Sequence, residues 1–489
     1  MVNPFKVVLV NPGPGEILEK GRIVSNADHV YPPLGICYLS SILKSESYHV
    51  DLIDQAAMQY NLTQILEWIK KKDPDVVGFS TLTASGSGIS AAITSGEIKK
   101  WNPNIKIVFG NRHATHNDYR ILNKYSSVDI CVRDEGEYTF LELIKALEHN
   151  KPLTDIRGIT YREDNKIKRN EVRPLIKDLD SIPFPDRSAL NIEYTGSFGG
   201  LEFAPQKFTS MISSRGCPYQ CTFCYGKRSI GFRTRSVENI LEEILLLENE
   251  GYKYLNFIDD NFTVSKKRVI KLCRLMRKNK VDLDWVCEGR INQVSDEMLR
   301  EMHRSNCKIM FYGIESANQR ILDYYKKKIT PSQSILAVKK TRKAKIPFIM
   351  GSFIVGAPGE TLSEIYNTLK FAQIIDIDFP IFNLLGTMPG TDIWDELVEK
   401  NILDEKKYWE QGVHISDIDP NGVPTETISN LILDMLKQFF MNPKYLIKAF
   451  YRSTTNFYKL ITLLKIVSLN IKNFNDFHGV KSFLNPDNV

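Results

Sequence analysis

Cys217, Cys221 and Cys224 stand at C-x3-C-x2-C spacing in the stretch Ser213-Ser214-Arg215-Gly216-Cys217-Pro218-Tyr219-Gln220-Cys221-Thr222-Phe223-Cys224-Tyr225. Thiolates are strong transition-metal ligands, and three on one loop define a metal site. A structural zinc ion wants four protein ligands in a closed tetrahedron, and no fourth Cys or His lies nearby in the sequence. Three thiolates suit instead an iron–sulfur cluster with one iron left open to a ligand that is not protein. The plain alternative is three cysteines packed as small apolar residues. The Arg-Gly before the set, and the Pro and aromatics inside it, favour the cluster. Cys37, Cys131, Cys273, Cys287 and Cys307 are scattered through apolar periodic segments; they read as buried free thiols and imply a reducing compartment.

An apolar run over 208–212 predicts a short buried strand that delivers the thiols at its C-terminal end. Beyond the loop, strand patterns over 254–258, 285–287, 308–312, 348–355 and 381–385 alternate with amphipathic runs. Ser236 caps one of these helices, Thr330-Pro331 opens another, and Thr361-x-x-Glu364 is a capping box for a third. About six strand–helix units predict a partial (β/α)6 barrel, whose working face is the rim formed by the strand C-termini. That rim carries Asp259-Asp260-Asn261-Phe262, Arg290, Gly313-Ile314-Glu315-Ser316, Gly356 and Pro389-Gly390-Thr391.

The front of the chain alternates in the same way. Strands over 6–10, 50–53, 76–80, 105–109 and 128–132, with helical runs between them, predict a doubly wound, Rossmann-like parallel sheet over 1–150. Ligands of such sheets lie at the strand C-termini. Here these are Asn11-Pro12-Gly13-Pro14-Gly15, Asp54, Ser80-Thr81-Leu82-Thr83 and Gly110-Asn111-Arg112-His113-Ala114-Thr115. A hairpin and proline-punctuated linker over 151–205, the barrel over 206–420 and a helical C-terminal region over 421–489 complete the predicted organisation. The net charge of +6 is diluted over 489 residues without a dense basic block, which argues against nucleic-acid binding. No secretory signal and no bilayer-long apolar run are present, so a cytoplasmic protein is expected. The C-terminal region reads as a helical cap in preference to a membrane-surface element.

The cysteine loop resembles the signature of the radical S-adenosylmethionine (SAM) superfamily. The resemblance implies a [4Fe-4S] cluster on Cys217, Cys221 and Cys224, its open iron chelated by the SAM amino and carboxylate groups, and SAM cleavage to a 5′-deoxyadenosyl radical. It implies Phe223 along the adenine, Asp259 and Asp260 at the SAM amino group, and Arg290 at its carboxylate. Glu315, with Ser316 beside it, would meet the ribose or methionine moiety, and Gly356 the adenine. The front domain resembles the cobalamin-binding domains fused ahead of radical SAM domains. This rests on Pro32-Pro33-Leu34-Gly35-Ile36, Val50-Asp51-Leu52-Ile53-Asp54, Asp134-Glu135-Gly136-Glu137 and Asp178-Leu179-Asp180-Ser181-Ile182-Pro183-Phe184-Pro185-Asp186. Ser80-x-Leu82 matches the Ser-x-Leu element that lines the corrinoid's nucleotide tail. Two departures stand out: the family's Gly-Gly reads Gly110-Asn111 followed by Arg112, and Asp54 is followed by Gln55-Ala56 instead of an Asp-x-His motif. The second implies no His on cobalt from that loop; His113 could face the corrin or cobalt but reads better as loop-fixing or solvent-facing. As a whole the chain resembles cobalamin-dependent radical SAM methyltransferases and anaerobic magnesium-protoporphyrin ester cyclases, which implies a small-molecule substrate methylated at an unactivated carbon, with reduced flavodoxin or ferredoxin as electron donor. The runner-up is an oxidative cyclase or rearrangement enzyme with the same cofactors; a non-catalytic cobalamin or SAM sensor is a third reading.

Overall fold

Val7, Val8, Leu9 and Val10 are all buried, as a strand covered on both faces must be. The computed structural model describes residues 5–13, 31–82, 86–198, 201–224, 231–406 and 419–453; Pro14-Gly15, Thr83, Tyr225 and the tail beyond 453 lie outside them. The chain divides into two units, 1–193 and 194–488.

The first unit runs β1 (Lys6–Asn11), α1 (Leu34–Ser45), β2 (His49–Asp54), α2 (Leu62–Lys72), β3 (Val76–Ser80), α3 (Ser87–Trp101), β4 (Lys106–Gly110), α4 (Asn111–Lys124), β5 (Ile130–Val132) and α5 (Gly136–Glu148). Its strands lie in the parallel order β2-β1-β3-β4-β5, with the order reversing at β1. Asn61 and Gln64 form a reciprocal capping box that starts α2. The hairpin β6 (Ile159–Glu163) and β7 (Lys166–Arg169) joins the same sheet, antiparallel to β5 with Ile130 opposite Tyr161. The stretch read from sequence as hairpin and linker is thus divided between the two units. Its proline-rich part stays on the first unit because Asp186 accepts from Ser40 Oγ and Lys44 Nζ of α1 at 2.7 and 2.6 Å.

The second unit continues with β8 (Tyr194–Phe198), β9 (Leu201–Met211), α6 (Val237–Asn249), β10 (Tyr254–Phe257), α7 (Lys266–Lys278), β11 (Asp284–Gly289), α8 (Asp296–Arg304), β12 (Cys307–Glu315), α9 (Gln319–Tyr324), α10 (Pro331–Lys343), β13 (Phe348–Val355), α11 (Leu362–Ile374), β14 (Phe379–Leu384), α12 (Asp392–Glu399), α13 (Thr425–Phe440) and α14 (Pro443–Ser453). Strands β9 to β14 are parallel and in chain order, a curled half-barrel sheet, and β8 adds an antiparallel edge. Phe257, Trp285, Cys287, Met310 and Tyr312 pack into the layer between this sheet and its helices. Helix α13 sends Ile428, Ile432, Met435 and Phe439 into the same core. Among the described residues no helix is long and apolar enough to cross a membrane.

Gly78 of β3 sits opposite Leu9, and a Cβ added there would lie 2.9 Å from Leu9 Cδ2 and 3.4 Å from Phe140 Cζ. Gly78→Val should therefore overpack the first sheet and lower stability by about 1–3 kcal/mol, read from the shift of the urea midpoint.

Candidate active site

The cysteine loop leaves the barrel at the end of β9 and is pinned on both sides. Ser214 and Arg215 pair antiparallel with Arg233 and Thr234, so a two-stranded ribbon closes the loop's neck. Gly216 takes φ +78°, a conformation that glycine adopts without a Cβ clash, and its N–H donates to Asp260 Oδ2 at 3.1 Å. Farther along, Thr222 donates from N to the Tyr325 carbonyl and from Oγ1 to the Tyr324 carbonyl, both at 3.1 Å. Phe223 packs edge-on against Tyr325, ring centroids 5.0 Å apart. Cys221 is buried; Cys217 and Cys224 are half-buried. Burial pushes the Cys217 thiol above its ordinary value, so a proton must leave when it ligates iron.

Among the described residues, no group of three His, Cys, Asp or Glu side chains could hold a metal ion. A cubane takes one thiolate on each of three irons, so its ligands do not converge on one point. Arg290 supplies the fit for the open iron's ligand. Its guanidinium lies 3.7 Å from the Tyr219 ring centroid, and Nη1 is 3.9 Å from Cys221 Sγ. Nε donates to Asn292 Oδ1 at 3.1 Å, while the buried Nη2 has no hydrogen-bond partner among the described residues. A buried guanidinium nitrogen without an acceptor calls for an anionic ligand such as a carboxylate.

The rim residues read from sequence separate into two groups. Asp260, Arg290, Glu315 and Gly356 lie at the strand ends beside the loop. Glu315 is held at φ +67°, where the register between β12 and β13 shifts, and forms an ion pair with Lys327. Gly313 leaves room for that pair, since a Cβ there would meet Glu315 Oε1 at 2.4 Å. Gly356, at φ +91°, donates its N–H to Glu360 Oε2 at 2.7 Å. Asp259 and Ser316 are turned away. Asp259 accepts from Ser213 N at 2.7 Å and from the Ser213 and Ser214 hydroxyls at 2.5 and 2.6 Å. Ser316 Oγ bonds Thr368 of α11 at 3.0 Å.

Sequence reading missed Glu288 and Lys327, and placed Glu360 only within the turn Pro358-Gly359-Glu360-Thr361 after the fifth barrel strand. On β11, Trp285, Cys287 and Gly289 are buried, and Trp285 and Cys287 belong to the helix-side core, which places Glu288 on the opposite, lumen face. A charged residue at an inward strand position is the signal that could have found it. Solvent reaches Glu288, yet its enclosure, with Asp260 and Glu315 nearby, pushes its carboxyl up to about 7. Lys327 was hidden inside the run Lys326-Lys327-Lys328. Glu360 is buried and pushed up to about 7 by desolvation, against the pull of the Gly356 and Ala357 N–H groups.

In the first unit, Ser80, Leu82, Gly110 and His113 gather at the C-terminal ends of β3 and β4. Asn111 adopts φ +74° and donates Nδ2 to Ser80 Oγ at 3.0 Å. Asn tolerates this left-handed conformation better than most residues, which explains how it stands in for a glycine. A Cβ at Gly110 would meet nothing within 4 Å. Leu82 is 40% exposed there. His113 donates its N–H to the Thr81 carbonyl at 3.2 Å, and its ring lies against Gly88 of α3. Burial, aided by His116, pushes the imidazole down to about 4 and keeps it neutral.

Residues 211–372 match the family model of the radical SAM superfamily, and residues 22–144 match that of the B12 binding domain. The chain is 36% identical over 455 residues to an uncharacterized methyltransferase, PH0819, of Pyrococcus horikoshii, covering 91% of this chain and 94% of that protein. It is 27% identical over 434 residues to the anaerobic magnesium-protoporphyrin IX monomethyl ester cyclase of Rubrivivax gelatinosus, covering 85% and 75% of the two chains. Its fold is similar to that of the radical SAM methyltransferase TsrM from Kitasatospora setae, solved with cobalamin and a [4Fe-4S] cluster, with TM-score 0.66, 17% identity, and 81% and 75% of the chains covered. A half-barrel with a three-thiol loop behind a doubly wound sheet defines the class of cofactor-dependent radical enzymes. This chain belongs to the radical SAM family with a cobalamin-binding domain, and its cofactors are a [4Fe-4S] cluster, SAM and cobalamin.

Glu360 titrates near 4.5 when unfolded and near 7 in the folded protein. The native state therefore holds the proton more tightly, and the stability this contributes is full below about 4.5 and lost as pH rises through 7. The stability lost between about pH 5 and pH 8, from unfolding free energies in urea, should be smaller in Glu360→Gln than in the wild type by on the order of 1–3 kcal/mol.

Proposed function

We propose that this enzyme methylates an unactivated carbon of a small-molecule substrate, with Cys217, Cys221 and Cys224 as the cluster's protein ligands. Similarity to a methyltransferase along nearly its whole length carries the choice of methyl transfer. When bound, the cluster supplies the electron that cleaves SAM to a 5′-deoxyadenosyl radical, and cobalamin carries the methyl group to the substrate carbon. Arg290 Nη2 receives the SAM carboxylate, and Asp260, rather than Asp259, faces the SAM amino group. The Glu315–Lys327 pair presents a fixed acceptor to the ribose or methionine moiety, while Phe223 and Gly356 border the adenine. Ser316, bonded to Thr368, steadies the turn that follows Glu315. Ser80, Leu82 and Gly110 line the corrinoid tail, and His113 fixes their loop from beneath. The electron comes from a reduced flavodoxin or ferredoxin. Similarity to the ester cyclase favours a second reading, oxidative cyclisation with the same cofactors.

Methyl transfer of this design uses SAM twice per product. With substrate supplied, 5′-deoxyadenosine and S-adenosylhomocysteine should accumulate in equal amounts, and SAM carrying a deuterated methyl group should label the product almost fully. Mass spectrometry that finds product and deoxyadenosine, but neither label nor S-adenosylhomocysteine, would establish the cyclase reading instead.

A further inference from the structure

The backbone enters the cysteine loop through Ser213 and Ser214, both buried. Ser213 donates its N–H to Asp259 Oδ1 at 2.7 Å and its hydroxyl to Asp259 Oδ2 at 2.5 Å. The Ser213 carbonyl accepts from Arg235 N at 3.1 Å and from Arg268 Nη1 at 3.2 Å. Arg268 Nη1 also reaches Ser213 Oγ at 2.8 Å, and Nη2 lies 3.5 Å from Asp259 Oδ2. Ser214 Oγ adds a third donor to the Asp259 carboxylate at 2.6 Å. One layer farther out, Arg235 Nη1 donates to the Ile212 carbonyl at 3.0 Å and is ion-paired with Glu243, itself 0% exposed.

The Asp259 side chain is 0% exposed and both of its oxygens accept hydrogen bonds from the loop's entry. A ligand cannot reach it without dismantling those bonds. The adjacent Asp260 holds Gly216 N. The end of β10 thus grips Ser213, Ser214 and Gly216, three of the four residues before Cys217.

We propose that Asp259 is a positioning residue for the cluster: by locking Ser213 and Ser214 it sets where the Cys217 thiolate stands, and it does so without touching SAM. The inference rests on the reading of Cys217, Cys221 and Cys224 as cluster ligands. It differs from the role the sequence resemblance implies for Asp259 in which quantity the residue controls. A contact to SAM governs SAM affinity; a brace under the loop governs how firmly the iron is held.

The test uses the full-length protein, reconstituted anaerobically with iron and sulfide, as wild type, Cys217→Ala, Asp259→Asn and the double variant Ser213→Ala/Ser214→Ala. The readouts are iron and sulfide per chain, the rate of iron loss to a chelator, and the SAM affinity of the loaded fraction from electron paramagnetic resonance titration. Asp259→Asn and the serine pair should lose iron about 10-fold faster than wild type, the scale seen when outer partners of metal ligands are removed. The SAM affinity of their loaded fraction should be unchanged. Wild-type iron retention in Asp259→Asn, with or without weakened SAM binding, overturns the proposal. If Asp259→Asn lacks native circular dichroism, the serine pair decides by the same two readouts, because it keeps the carboxylate and removes its two hydroxyl donors, with the Ser213 Oγ acceptor of Arg268. Failure of the underlying reading looks different: wild type and Cys217→Ala would then load iron alike.

Discussion

An ionised carboxylate sealed from water is tolerable only with hydrogen-bond donors on its oxygens, and Asp259 draws those donors from the two serines that open the cysteine loop. The requirement spreads outward. Arg268 completes the carboxylate's surroundings and holds the Phe262 carbonyl at 3.0 Å, which ties the start of α7 to the loop. Arg235, bonded through its backbone to Ser213, is neutralised by Glu243 of α6. Two helices and two strands thus converge on one turn. The thiols beyond it are then presented by a braced loop, whose far side rests on the Tyr324 and Tyr325 carbonyls.

Elsewhere on the rim, Glu315 and Gly356 take backbone that ordinary residues avoid. Glu315 at φ +67° is a non-glycine in the left-handed region, a conformation that costs on the order of 1–3 kcal/mol. Its ion pair with Lys327, accommodated by the missing side chain of Gly313, offsets that cost and fixes the carboxylate's direction. Arg290 is the counterpart on β11: a cation held against Tyr219 and Cys221 with one nitrogen unpartnered. The site therefore presents fixed charge of both signs, as a zwitterionic amino-acid moiety such as that of SAM requires. The first unit uses the same device at smaller scale, where Asn111 at φ +74° binds Ser80 in place of a glycine turn.

Much of this was legible before any coordinates. The cysteine spacing identified the loop, and the alternation of patterns identified both sheets. The caps at Ser236, Thr330 and Thr361 all bond as their residue types require. What escaped was direction. Asp259 and Asp260 are adjacent, and the sequence offers both to the mouth; yet Leu255 and Phe257 face the helices, and the period of two carries Asp259 to that same side. The extent of β9 escaped as well, because Pro205 interrupts its first half, which is strand through hairpin pairing with β8 that one segment's own pattern does not show. The β6–β7 hairpin read as separate for the same reason, its membership decided by β5 across the sheet.

The central claim is that three cysteines hold a cluster whose fourth iron is bound by SAM. Electron–nuclear double resonance on the reduced, reconstituted enzyme tests it directly, with SAM labelled with nitrogen-15 at the amino group and oxygen-17 at the carboxylate. Hyperfine coupling from both labels to the cluster is expected, lost when SAM is omitted. A reduced cluster that shows neither coupling with SAM present would mean that no iron is open to it, and would contradict the account.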